Sequence, residues 1–140
     1  MRLVIDTNII MSALIKEGMT RKLIMSNPLE FLTPEHVFEE IDKHKEYLAR
    51  KSGMKTEEAQ SILRIIKEKT KIIPINTIRE KMSEAKKIMR EIDENDAPII
   101  ACALATKNQG IWTEDKHFKK QNAAKTWTTK ELSELFFKNK

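Results

Sequence analysis

Residues 2–14 read RLVIDTNIIMSAL, and the carboxylate in the middle of that run decides which fold to expect. Leu3–Ile5 reads as a short β-branched strand and Ile9–Ile15 as an apolar helix. Asp6, Thr7 and Asn8 stand between them, with no basic residue nearer than Arg2. The rest of the chain keeps the same alternation. Further strands are expected at Leu29–Leu32, Ile72–Ile75, Gly110–Thr113 and Ala124–Trp127, and further helices near Arg21–Met25, Pro34–Lys51, Thr56–Lys69, Ile78–Met89 and Ala97–Lys107. A last helix is expected at Thr129–Phe137. Ala59, Ile62, Leu63 and Ile66 recur at amphipathic helix spacing, as do Ile78, Met82, Ala85 and Met89. Ser52–Gly53 punctuates the join of two helices and predicts a helical hairpin. Strands alternating with helices over this length predict an α/β fold, a three-layer α/β/α sandwich around a mostly parallel sheet. In such folds ligands sit beyond the carboxyl ends of the strands, which is where Asp6 falls.

Size and composition agree. The 140 residues make one domain, 1–140, large enough to bury a core, and 40% hydrophobic with 34% charged residues argues against wholesale disorder. A net charge of +5 favours a polyanionic partner. The single cysteine, Cys102, excludes an internal disulfide and suits a reducing cytoplasm. Its surroundings, APIIACALA at 97–105, form the longest apolar run but fall short of the roughly 20 residues that span a bilayer, so no membrane association is expected. No signal peptide is expected at the N-terminus, where no long apolar core follows a basic start.

Other carboxylates fall at equivalent places. Asp115 follows the GIWT strand by two residues, and Asp96 opens the apolar helix in NDAPIIACAL, with Asp93 three residues earlier. Each has a purely structural reading, because aspartate caps helices and Pro98 suits the first turn after Asp96. In TPEHVFEEIDKH, Val37, Ile41 and Leu48 define one apolar face. Glu39 then points away from that face and can pair with Lys43, whereas Glu40 lies on its border and can reach inward past the sheet. A rim salt bridge from Glu40 to Lys43 or His44 is the alternative. Several carboxylates at one end of a sheet repel one another unless something positive sits among them. Magnesium or manganese meets that need and binds phosphates, which on a basic protein points to nucleic-acid cleavage.

These stretches resemble the PIN-domain ribonucleases, the family that includes toxin subunits of prokaryotic toxin–antitoxin pairs. VIDTNIIMSAL resembles the opening motif and puts its acid on Asp6, with Thr7 and Asn8 beside it. TPEHVFEEI resembles the second and puts its glutamate on Glu40, DENDAPIIACAL the third with Asp96 and the accessory Asp93, and GIWTEDKHF the fourth with Thr113 and Asp115. Each motif is short, but four in order cover nearly the whole chain. The resemblance implies a five-stranded parallel sheet and cleavage of single-stranded RNA dependent on Mg2+ or Mn2+, with Asp6, Glu40, Asp96 and Asp115 as catalytic and metal residues. It also implies a possible antitoxin partner, and a homodimer is expected. One position departs: many members carry another aspartate two residues beyond the fourth acid, where this chain has His117. Lys116, Lys119 and Lys120 flank Asp115 and are candidates to touch RNA phosphates.

The rival readings are weaker. A catalytically weak RNA-binding module of the same fold is kept open by His117. A phospho-acceptor switch would need an acid after the middle strand, where IIPINT offers none, and a phosphatase with Asp-x-Asp would meet Asn8 in its second position. A dinucleotide binder needs a glycine-rich loop, and Gly18, Gly53 and Gly110 are the only glycines. Cys102, Trp112 and Trp127 read as core residues, and Phe136–Phe137 as a terminal helix packing home or a partner contact.

Overall fold

The computed structural model describes residues 1–26, 28–53 and 56–137. β1 (Arg2–Ile5) leads into α1 (Thr7–Ile15) and α2 (Met19–Ile24), and β2 (Glu30–Pro34) into α3 (Glu35–Ser52) and α4 (Thr56–Lys69). β3 (Thr70–Ile73) is followed by α5 (Ile75–Met89) and α6 (Ala97–Ala105), then β4 (Ile111–Trp112), β5 (Thr126–Trp127) and α7 (Thr129–Phe137). Two 3-10 turns, Glu94–Asp96 and Lys116–Lys120, were not expected from periodicity.

All five strands form one sheet in the order β3-β2-β1-β4-β5, and every pairing is parallel. The mostly parallel expectation is thus met in full. Leu3, Val4 and Ile5 are wholly buried because β1 is the central strand, covered on both faces. Right-handed crossovers from β1 to β2 to β3 carry α1–α4 along one face, and the return to β4 carries α5 and α6 along the other. The contacts agree: α1 packs on α2, α3 and α4, whereas α5 and α6 pack on each other and α6 lies against β1 and β2. α7 packs against α2 and buries Leu132, and the terminal aromatic pair, Phe136 and Phe137, packs against the core.

The boundaries depart from expectation where backbone chemistry overrides apolar pattern. The third strand is not Ile72–Ile75: Pro74 has no N–H to continue a ladder, and it stands as the N-cap of α5, which takes Ile75. The helix expected to reach Lys107 stops at Ala105, where Thr106 turns extended. α3 ends at Gly53 in the left-handed region (φ 75°), as the punctuation predicted, and α4 packs back on α3; residues 54 and 55 of the hairpin lie outside the described residues.

Candidate metal centre

Ile5 pairs with Trp112 in register, so the next residue of each strand, Asp6 and Thr113, emerge side by side at the carboxyl end of the sheet. Thr113 Oγ1 donates to Asp6 Oδ2 at 2.7 Å, and the Ile9 amide donates to Asp6 Oδ1 at 3.0 Å. The opening carboxylate therefore caps α1 and is clamped across the sheet at once. Asp6 is 6% exposed and Thr113 1%. Burial pushes the Asp6 carboxyl above the usual range, the hydrogen bonds from Thr113 and Ile9 offset part of that, and the nearby Asp115 charge adds to it. Thr113 Oγ1 also accepts the Asp115 amide at 3.0 Å, which ties the fourth acid to the first.

Asp96 occupies the N-cap position of α6, yet its side chain makes no capping bond. The structural reading of that residue fails on this point. Asp93 instead caps the preceding 3-10 turn through the Asn95 amide at 3.0 Å, and Asp115 caps the following one through the His117 amide at 2.9 Å. Burial first, then the charges of Asp93 and Asp115, push the Asp96 carboxyl up to about 6, and His117 opposes the rise. His117 Nδ1 stands 3.4 Å from Asp115 Oδ1 and 3.6 Å from both Asp93 Oδ2 and Asp96 Oδ2. Those distances exceed good charged hydrogen bonds. Asp96 Oδ2 and His117 Nδ1 are buried polar atoms without a hydrogen-bond partner. Asp93, Asp96 and His117 each offer a donor atom within 4.8 Å of the others. Unpartnered donors facing one another among like charges fit a divalent cation.

These elements open onto a cavity of about 400 Å3. The expected residues Asp6, Thr7, Asn8, Glu40, Asp96 and Asp115 all line it. Glu40 comes from α3 on the opposite bank, where Thr7 Oγ1 lies 3.4 Å from its Oε2, and it forms no ion pair with Lys43 or His44. Val37, Ile41 and Leu48 are buried, Glu39 is exposed and does not line the cavity, and the expected Glu39–Lys43 pair does not form. Asp93, Thr113 and His117 stand behind or beside the lining rather than in it, joined to it by the contacts above. Lys116, Lys119 and Lys120 are exposed on the turn after Asp115, outside the cavity wall. Sequence reasoning missed Met11, His36, His44, Asn95 and Ile99, which also line it. Their signal was spacing: His36 and His44 lie four residues either side of Glu40 on one helix, Met11 four beyond Thr7, and Ile99 three beyond Asp96.

The remaining candidates are structural. Cys102 is wholly buried and its thiol is pushed up to about 12 by burial, which removes its reactivity. Trp112 is wholly buried, packs on Phe31 with ring centroids 5.8 Å apart, and donates from Nε1 to Thr129 Oγ1 at 3.0 Å. Trp127 is partly buried, with its Nε1 on the Gln109 carbonyl at 2.8 Å.

A family model described as PIN domain matches residues 4–136. No curated protein sequence matches the chain. Among solved structures, the crystal structure of VapBC2 from Rickettsia felis bound to a DNA fragment from their promoter is similar, with a TM-score of 0.69 over 91% of this chain and 98% of that chain. At 20% identity the likeness carries the fold.

Proposed function

This chain belongs to the PIN-domain family, and from that premise we propose that it is a metal-dependent nuclease that hydrolyses phosphodiester bonds of single-stranded RNA. The observation that carries the reading is the meeting of Asp6, Glu40, Asp96 and Asp115 on one cavity, with a buried oxygen of Asp96 left without a hydrogen-bond partner. Asp6, Asp96 and Asp115 would hold Mg2+ or Mn2+, with Asp93 and His117 alongside and Glu40 facing them. When bound, the ion supplies positive charge that lowers the pKa of water and stabilises charge growing on the phosphate oxygens.

The chain's own residues supply the rest. Thr113 holds Asp6 in one rotamer, and through the Asp115 amide it fixes a second acid, so the carboxylates are oriented before substrate arrives. Glu40, on the far bank and free of ion pairs among the described residues, is the carboxylate left to accept a proton from the attacking water. Thr7 and Asn8 present polar groups at the mouth, and Lys116, Lys119 and Lys120 offer ammonium groups to RNA phosphates on a chain of net charge +5. The similar Rickettsia felis structure is of a complex, VapBC2, on promoter DNA, and this supports a toxin role with an antitoxin protein as partner. A homodimer and a reducing cytoplasm complete the proposal.

The second reading, a catalytically weak RNA-binding module, draws on His117 standing where an acid was expected. Incubation with a pool of end-labelled single-stranded RNA separates the two. Cleavage that stops with chelator and returns with Mg2+ or Mn2+ is expected. Asp6→Asn, Glu40→Gln, Asp96→Asn and Asp115→Asn are each expected to remove most of it, with Glu39→Gln as the unaffected control. RNA binding without chelator-sensitive cleavage would establish the module instead.

A further inference from the structure

His117 is the one member of the cluster that is not a carboxylate, and its placement is built rather than incidental. Asp115 accepts the His117 amide, which starts the 3-10 turn and directs the ring back toward the acids. The ring is not simply buried: its side chain is 42% exposed, while Nδ1 alone is shut off from solvent and has no hydrogen-bond partner. That nitrogen faces oxygens of Asp115 at 3.4 Å and of Asp93 and Asp96 at 3.6 Å.

Two cations fit between a ring nitrogen and carboxylate oxygens, a proton or a metal ion. A proton shared with one carboxylate draws the pair to about 2.8 Å and selects one partner. Ligands bound about 2.1 Å from a common ion stand roughly 3.0–3.4 Å from one another across the edges of its coordination shell. The separations of His117 Nδ1 from Asp93 and Asp96 are equal at 3.6 Å, slightly above that edge length and much nearer to it than to a hydrogen bond. Asp93 and Asp96 complete the set, each with an oxygen turned to the same nitrogen.

We propose that His117 Nδ1 is a direct ligand of the ion, together with Asp93 and Asp96, and that it makes the centre selective for Mn2+ and related transition ions over Mg2+. This rests on the metal-dependent reading above and adds the identity of the ion. Magnesium holds to oxygen ligands and near-ideal geometry, whereas transition ions accept imidazole and bind it more tightly along the first row. Imidazole in place of a carboxylate also removes a negative charge, which weakens the hold on Mg2+ most because that hold is electrostatic.

The test uses the intact chain and the ions alone, with no RNA. Electron spin-echo spectra of the Mn2+-loaded protein are expected to show a coupled imidazole nitrogen. The coupling is expected to vanish in His117→Asp and His117→Gln, and to persist in His36→Gln and His44→Gln. Calorimetric titration is expected to give a Mn2+ over Mg2+ preference that His117→Asp narrows by roughly tenfold, the scale on which changes around a metal alter affinity. Metal-free thermal melts of each variant check that the fold is retained. Mn2+ bound without nitrogen coupling, and with the same preference in wild type and His117→Asp, overturns the inference and leaves the metal-dependent nuclease standing. Binding of neither ion overturns both.

Discussion

The hydroxyl of Thr113 carries more of the centre than its size suggests, because it donates to Asp6 and accepts from the Asp115 amide while itself buried. Thr113→Val takes the partner from the buried Asp6 Oδ2 and from the Asp115 amide, and is expected to lower stability by roughly 1–3 kcal/mol in chemical denaturation. Thr113→Ser should retain most of it. Asp96 gives a pH prediction with a definite sign. Its folded-state carboxyl is raised to about 6 from 3.8, so its ionised form is disfavoured by folding. Its stabilising contribution is complete below about pH 4 and is lost as pH rises through about 6. Metal-free wild type is therefore expected to gain stability relative to Asp96→Asn as pH falls from 7 to 4, and a constant difference across that range would refute the shift. At this scale the sequence was legible where one helical wheel decided the matter: Val37, Ile41 and Leu48 go inward, and Glu40 rather than Glu39 meets the cavity. The same wheel carried a signal for His36 and His44, four residues either side of Glu40, but spacing alone does not say whether the edge of a helix face meets a cavity or solvent. The missing cap at Asp96 was likewise invisible, since the motif for a capping aspartate and for a free one is identical.

The elements were read well because their signals are local. Apolar alternation and β-branched runs mark β1 and β2, and amphipathic spacing marks α4 and α5, with the core residues Ala59, Leu63, Ile66, Ile78, Ala85 and Met89 all buried. The errors cluster where a different chemistry sets the boundary: Pro74 ends β3, and the two 3-10 turns are set by the side chains of Asp93 and Asp115, which periodicity does not report. β4 is the vulnerable element, only two residues long, and Gly110 leads into it with φ at 128°. A Cβ there would lie 2.5 Å from the Lys125 carbonyl oxygen. Gly110→Ala is expected to lower stability by roughly 1–3 kcal/mol, combining the disfavoured backbone with the clash, as read by thermal or urea unfolding. An unchanged melt would mean that β4 and β5 separate without penalty.

The order of the whole sheet is the least local property and was the least legible. Strand runs and handedness lead to a parallel sheet, but nothing in RLVI says that it becomes the centre, with β4 on its far side. At this scale the prediction concerns the protein as one cooperative unit. Mn2+ is expected to raise the melting temperature with the logarithm of its concentration over its dissociation constant, with a smaller gain in Asp6→Asn, and chelator should reverse it. A melt indifferent to millimolar Mn2+ would count against the carboxylate centre. The bond between Asp6 and Thr113 also has a meaning in time. Its two residues are separated by 107 positions, and Trp112, beside which Ile5 must lie, comes just before the second. At a ribosomal pace of about 5–20 residues per second, roughly 5–20 s pass between synthesis of the first acid and of the threonine that clamps it. A nascent chain holding Asp6, Glu40 and Asp96 has three of the acids and still lacks the clamp. If the protein does cut RNA, the machine translating it is exposed to a finished blade only after the threonine has been added.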